Sequence, residues 1–223
     1  MKLEHNEIHI WSADLGITTA QEEALLALLS PDEHERAERF KYLQHRMRFI
    51  AARGSLRQIL SNYLDLPPKE IIFAYGEHHK PYLTASPIQF NLAHSGDMAV
   101  YAITLNHPIG IDIEKIQNNY NPDIAKRFFN PQEYAALLAL PEHKRILGFY
   151  CLWARKEAII KATGRGISMG LATFNVSVND VSETVIVQNE AWSLLPLSIH
   201  PDYASAVATN QTIKTISNYR VIL

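Results

Sequence analysis

The chain has 223 residues, 47% hydrophobic and 20% charged, with a net charge of −2. That is long enough for one large domain or two small ones, and too near neutrality for the chain as a whole to partner nucleic acid or an anionic membrane. A single cysteine, Cys151, excludes an intramolecular disulfide and reads as core filler in GFYCLW, and there is neither a signal-peptide pattern nor a transmembrane-length apolar run, so the expected compartment is the cytoplasm.

In chain order, NEIHIWSADL (6–15) alternates like a strand, and AQEEALLALL (20–29) reads as an amphipathic helix. Ser30 and Pro31 end that helix and start the next, SPDEHERAERF, with Ser30 as cap and Pro31 in the first turn. A long helix follows from about 44 to 63, with Leu56, Ile59, Leu60 and Tyr63 spaced for one buried face. IIFAYGEHHKPYL reads as strand, turn and short extended piece, and IQFNLAHSGDMAVYAITL as two strands joined at HSGD. IGIDIE is again a strand, DIAKRFF and NPQEYAALLAL are helices, and ILGFYCLWARKEAIIKATG is a long helix stopped by Gly164. TFNVSV, TVIVQ, WSLLPLSI, YASAVAT and YRVIL then read as strands and connections.

The two halves resemble versions of one unit. EIHIWSADL matches PIGIDIEKI, the two long helices match, and IQFNLAHS is echoed by ATFNVSV. The expected fold class is therefore α+β, with two similar subdomains, 1–104 and 105–223, packed side by side and a binding groove between them.

Asp112 and Glu114 alternate with isoleucines in GIDIE, so both acids project to one strand face. Two carboxylates that close repel unless a cation or a proton lies between them, and an oxygen-only set favours Mg²⁺ first, then Mn²⁺ or Ca²⁺. Glu157 and Lys161, four apart on a helix, share a face; Lys156 is expected to point elsewhere, to solvent. FNLAHSG places Asn91, His94 and Ser95 at a strand end, where His94 and Ser95 suit an anionic ligand. Lys80 precedes Pro81 in a turn with His78 and His79, which lack the spacing of a zinc site. The basic run Arg36, Arg39, Lys41, Arg46, Arg48, Arg53 and Arg57 reads either as a solvated helix face or as forks for phosphate.

GIDIE (110–114), FNLAHSG (90–96) and WARKEAIIK (153–161), with KP at 80–81, KRFFNPQEY at 126–134 and GRGI at 164–167, resemble the signatures of 4′-phosphopantetheinyl transferases, in the pseudo-dimeric Sfp-type branch. The resemblance runs from about residue 36 to 171 and implies that family's fold, with the halves related by a pseudo-two-fold. It implies transfer of phosphopantetheine from coenzyme A to a serine of an apo carrier protein, releasing 3′,5′-ADP. It further implies Asp112, Glu114 and Glu157 as Mg²⁺ ligands (Mn²⁺ the alternative), with Glu157, Lys161 and Asp112 as the catalytic set. Arg36, Arg48, Arg53, Lys80, Asn91, His94, Ser95 and Lys161 are then the coenzyme A-binding set, the partners are coenzyme A and apo carrier proteins, and the expected state is a monomer. His79 stands where the family often has glycine. A Mg²⁺ nuclease is disfavoured because Lys115 directly follows Glu114 and points to the opposite face. A non-catalytic binder of coenzyme A or carrier proteins has no need of the acid set.

Overall fold

A computed structural model describes residues 1–166 and 169–222. The elements are β1 (Glu7–Asp14), α1 (Thr19–Leu26), α2 (Pro31–Glu38), α3 (Leu43–Leu64), β2 (Phe73–Tyr75), β3 (Pro81–Leu83), β4 (Ile88–Ser95), β5 (Met98–Leu105) and β6 (Ile109–Lys115). They continue with α4 (Pro122–Phe128), α5 (Pro131–Ala139), α6 (Glu142–Thr163), β7 (Glu183–Val187), β8 (Glu190–Pro196), β9 (Tyr203–Thr209) and β10 (Thr215–Arg220). Two four-stranded sheets, β10-β1-β5-β4 and β6-β9-β8-β7, accompany the small hairpin β2-β3.

Alternation along the strands decides the layering. One face of the first sheet packs Tyr101, Ile103 and Phe90 against Ile50, Leu56 and Leu60 of α3, while one face of the second packs Leu194, Ala206 and Ala208 against Leu152 and Ile159 of α6. The opposite faces meet in a third apolar layer of Ile8, Ile10, Val100 and Ala102 against Ile109, Ile111, Ile113 and Val207. The order is helix, sheet, sheet, helix, so the isoleucines of GIDIE face the partner half and its acids face α6.

The expected repeat is present, and buried ions repeat with it. Ser30 and Asn130 each open a helix with a capping box whose third-position glutamate, Glu33 or Glu133, reaches back to the cap backbone. Each glutamate is buried and takes a cation from the long helix: Arg57 Nε at 2.5 Å in the first half, Lys156 Nζ at 2.7 Å in the second. Each cation then donates to two backbone carbonyls, Arg57 to Pro68 and Ile71, Lys156 to Leu171 and Phe174.

Three expectations are corrected. Lys156 is fully buried rather than facing solvent, because it lies on the α6 stripe of Leu152 and Ile159. TFNVSV forms no strand. The N–H groups of Val176 and Ser177 go to the side chains of Glu133 and Glu183 instead of a ladder, and it is β8, beside β9, that occupies the place of β4 beside β5. The chain's last strand runs from Thr215 to Arg220, earlier than YRVIL, and pairs in parallel with β1, which carries residues placed after 104 in the second unit back into the first sheet; Leu223 lies outside the described residues. Among the described residues no helix is long and apolar enough to cross a membrane.

Candidate active site

The site forms where β4 and β6, edge strands of their own sheets, run side by side. An edge strand leaves backbone N–H groups unpaired. Here β4 side chains take two of them: Asn91 Oδ1 accepts from Ile111 N at 2.9 Å, and Ser95 Oγ accepts from Lys115 N at 3.0 Å. Asn91 and Ser95 therefore join the halves, and Ser95 Oγ also donates to Glu114 Oε2 at 3.0 Å.

Behind β6, α6 approaches so closely that a Cβ at Gly110 would lie 2.1 Å from Ala158 O and 2.2 Å from Ala162 N. This contact brings Lys161 Nζ to 2.6 Å from Asp112 Oδ1. Asp112 is 3% exposed, and its other oxygen, Oδ2, is buried with no hydrogen-bond partner. Burial pushes its carboxyl up to about 7, with the Glu114 and Glu157 charges adding to the rise and Lys161 opposing it. Burial also raises Glu114 and Glu157, and Lys161 restrains both. The three acids thus share one poorly solvated field with a single lysine among them.

Among the described residues no three acid, histidine or cysteine side chains are already gathered closely enough to hold a metal ion. The donor set nevertheless fits a hard divalent cation: it is oxygen-only, it carries excess negative charge, and one buried oxygen lacks a partner.

Two cavities flank Lys161. One, of about 290 Å³, is lined by His78, His79, Lys80, Asn91, Glu157 and Lys161 among others; its neighbour, of about 270 Å³, is lined by Arg36, Phe49, Arg53, Leu92, His94 and Lys161. Leu92 and Lys161 border both, so the two are compartments of one groove between the halves. Arg36 stacks over Phe49 at 5.2 Å. Arg53 is buried, pairs with Glu33 at 3.3 Å and leaves Nη1 unpartnered. His94 lies on the exposed rim of the groove, and partial desolvation, then Lys161 and Arg48, lowers its imidazole. Arg48 borders neither compartment and is paired with Asp97 at 2.5 Å. Lys80 gives N–H bonds to Ile109 O at 2.9 Å and Lys161 O at 2.6 Å. His79 adopts φ +58°, a left-handed conformation in which glycine is at ease, which accounts physically for glycine's use at that turn.

Asp97, read in the sequence only as turn chemistry, is the partner of Arg48, and His78, weighed there only as a metal ligand, packs its ring where a Cβ on Gly166 would lie 2.9 Å from it. Of GRGI, Ile167 lies outside the described residues.

Residues 108–210 match the family model of the 4′-phosphopantetheinyl transferase superfamily, and residues 17–106 match that of the 4′-phosphopantetheinyl transferase N-terminal region. The 4′-phosphopantetheinyl transferase HetI of Nostoc sp. is 38% identical over 91% of this chain and 87% of its own. The chain belongs to the 4′-phosphopantetheinyl transferase superfamily. Within it, the 4′-phosphopantetheinyl transferase psf-1 of Bacillus pumilus is 36% identical, covering 86% of this chain and 83% of its own. The 4′-phosphopantetheinyl transferase Sfp of Bacillus subtilis (strain 168) is 31% identical, covering 87% and 88%. The phosphopantetheinyl transferase is thus an enzyme of the Sfp-type branch, with an α+β fold of two related halves.

Proposed function

We propose that the groove between the halves transfers 4′-phosphopantetheine from coenzyme A to a serine of an apo carrier protein, with 3′,5′-ADP as the leaving group. The observation that carries this reading is the cluster of Asp112, Glu114, Glu157 and Lys161, of which Glu157 and Lys161 line the groove, flanked by a basic compartment with Arg36, Arg53 and His94. Acids alone would repel a pyrophosphate, and arginines alone would bind it without activating a nucleophile.

Asp112, Glu114 and Glu157 would hold Mg²⁺, or Mn²⁺ in its place. Such an ion supplies charge neutralisation at the transferring phosphate and its leaving group. Lys161 contributes a fixed positive charge at the same phosphates, preorganised by Asp112. His94, on the exposed rim of the basic compartment, offers an imidazole N–H to the same phosphates. Arg36 and Arg53, which line that compartment, suit the remaining phosphate oxygens of the nucleotide. Arg48, paired with Asp97 at 2.5 Å and near enough to lower the His94 imidazole, adds positive charge for the same nucleotide phosphates. Asn91 and Ser95 act by holding β4 to β6.

In the reaction the serine Oγ–phosphorus bond forms as the bond from that phosphorus to the leaving 3′,5′-ADP breaks. The serine proton passes to Glu157, on the same helix face as Lys161 and on the lining of the groove. The enzyme works in this reading as a cytoplasmic monomer with one such site per chain, since Trp11 and Ala13 stand in β1 where β6 carries Asp112 and Glu114.

The test is incubation of the full chain with coenzyme A, Mg²⁺ and a panel of apo carrier proteins, with and without EDTA. The expected result is the mass gain of one phosphopantetheine arm on at least one carrier, abolished by EDTA. No gain on any carrier would overturn the reading, and a gain that survives EDTA would overturn the metal assignment.

A further inference from the structure

The β2-β3 hairpin belongs to the first half, where Phe73 packs on Phe90, yet its turn reaches the second half. Two backbone bonds close that turn, Gly76 N to Lys80 O at 3.1 Å and His79 N to Gly76 O at 2.9 Å, so the Lys80 side chain leaves from a braced base. Its ammonium group ends between two carbonyls of different elements, Ile109 O at the start of β6 and Lys161 O in the last turn of α6. The final carbonyls of a helix lack intrahelical donors, and a cation there is also favoured by the helix dipole. Beside it, the His78 ring packs against Gly166 just past the helix end. Two of the three Lys80 donors are therefore committed to backbone, and they join the strand that carries Asp112 to the helix turn that carries Lys161.

We propose that Lys80 is a positioning residue, a bolt between the end of α6 and the start of β6 that sets Lys161 against Asp112. This assignment rests on the transfer reading above and differs from a direct phosphate contact by Lys80. A bolt serves every substrate alike, whereas a phosphate contact serves only substrates bearing that phosphate. A neutral amine keeps two N–H groups, enough for both carbonyls, so the bolt does not depend on the charge of Lys80.

The test compares Lys80→Met and Lys80→Arg in the full chain, with coenzyme A and 3′-dephospho-coenzyme A as alternative donors to one apo carrier protein. Hydrogen exchange at the amides of residues 161–164 is followed alongside. The bolt predicts that Lys80→Met lowers kcat about tenfold with both donors, with KM changed less than about threefold. It also predicts faster exchange in the last turn of α6, and recovery of about a third of kcat in Lys80→Arg, which still offers N–H groups to both carbonyls. A rise in KM confined to coenzyme A, with kcat and exchange unchanged, would overturn the proposal in favour of a phosphate contact, and so would a variant indistinguishable from wild type. If Lys80→Met does not fold, Lys80→Gln is measured the same way against the same criteria. A wild-type chain that transfers from neither donor would refute the transfer reading, and the exchange comparison would still decide whether Lys80 braces α6.

Discussion

Asp112 sits beneath α6 with one oxygen on Lys161 and the other without a partner, and burial holds its carboxyl near neutrality. The same reasoning, in which desolvation disfavours the charged form, applies to Cys151. Burial, reinforced by the Asp180 charge, pushes that thiol up to about 11. Since only the thiolate reacts, alkylation by iodoacetamide in the native protein is expected to be slow at pH 7. It should speed up about tenfold per pH unit to pH 10, because the thiolate fraction grows by that factor below the pKa. A native rate already equal to that of the urea-unfolded chain at pH 7 would contradict this environment. Carboxylate identities and positions at the site were legible in the sequence because period-two alternation in GIDIE and i,i+4 spacing in WARKEAIIK assign faces from spacing alone. The burial of Lys156 was not read, although its spacing from Leu152 and Ile159 marks the apolar stripe of the helix; a charge is conventionally assigned to solvent until its partner is known. That partner, Glu133, comes from a capping box 23 residues upstream.

At the level of elements, the decisive contact is the strand-to-helix approach at Gly110. Any side chain there meets the α6 backbone rather than a flexible side chain, so the strand and helix must separate. Gly110→Ala is expected to cost about 3 kcal/mol of unfolding free energy by urea titration. It should also lower transfer activity, because separation moves Lys161 from Asp112. Unchanged stability would show that the two elements are not packed as described. The helices and most strands followed from periodicity and caps; Ser30 caps its helix as expected, and the boxes that Glu33 and Glu133 close are seen only in the structure. TFNVSV failed for a local reason, since its strand-like alternation meets side-chain acceptors on Glu133 and Glu183 instead of a neighbouring strand. The parallel partner of β10 was equally invisible, because a ladder between residues 7–12 and 215–220 is set by the completed sheet and not by any local pattern.

Over the whole molecule, duplication explains both the scaffold and its asymmetry. Each half buries a capping-box glutamate against a cation of its long helix, so the same polar lock secures each helix pair. Removing one partner of such a lock strands the other charge. Lys156→Met is expected to cost about 3–5 kcal/mol, and Lys156→Met combined with Glu133→Gln to cost less than the two changes added. Additive losses in urea unfolding would mean that the two residues do not act as a pair. The halves diverge at these strands, for β6 sets Asp112 and Glu114 beside Lys161 while β1 offers Trp11 and His9 to Tyr63 instead.

The claim at the centre of this account is that Glu157, with Asp112 and Glu114, performs the transfer chemistry at that groove. Glu157→Gln preserves volume and removes the charge, so the measurement is the mass gain of an apo carrier protein with coenzyme A and Mg²⁺, made on this variant and on wild type. Wild type should load the carrier, and the variant should lose at least about a thousandfold in rate with its circular dichroism and unfolding midpoint preserved. A folded Glu157→Gln enzyme that loads the carrier at near wild-type rate would contradict the account.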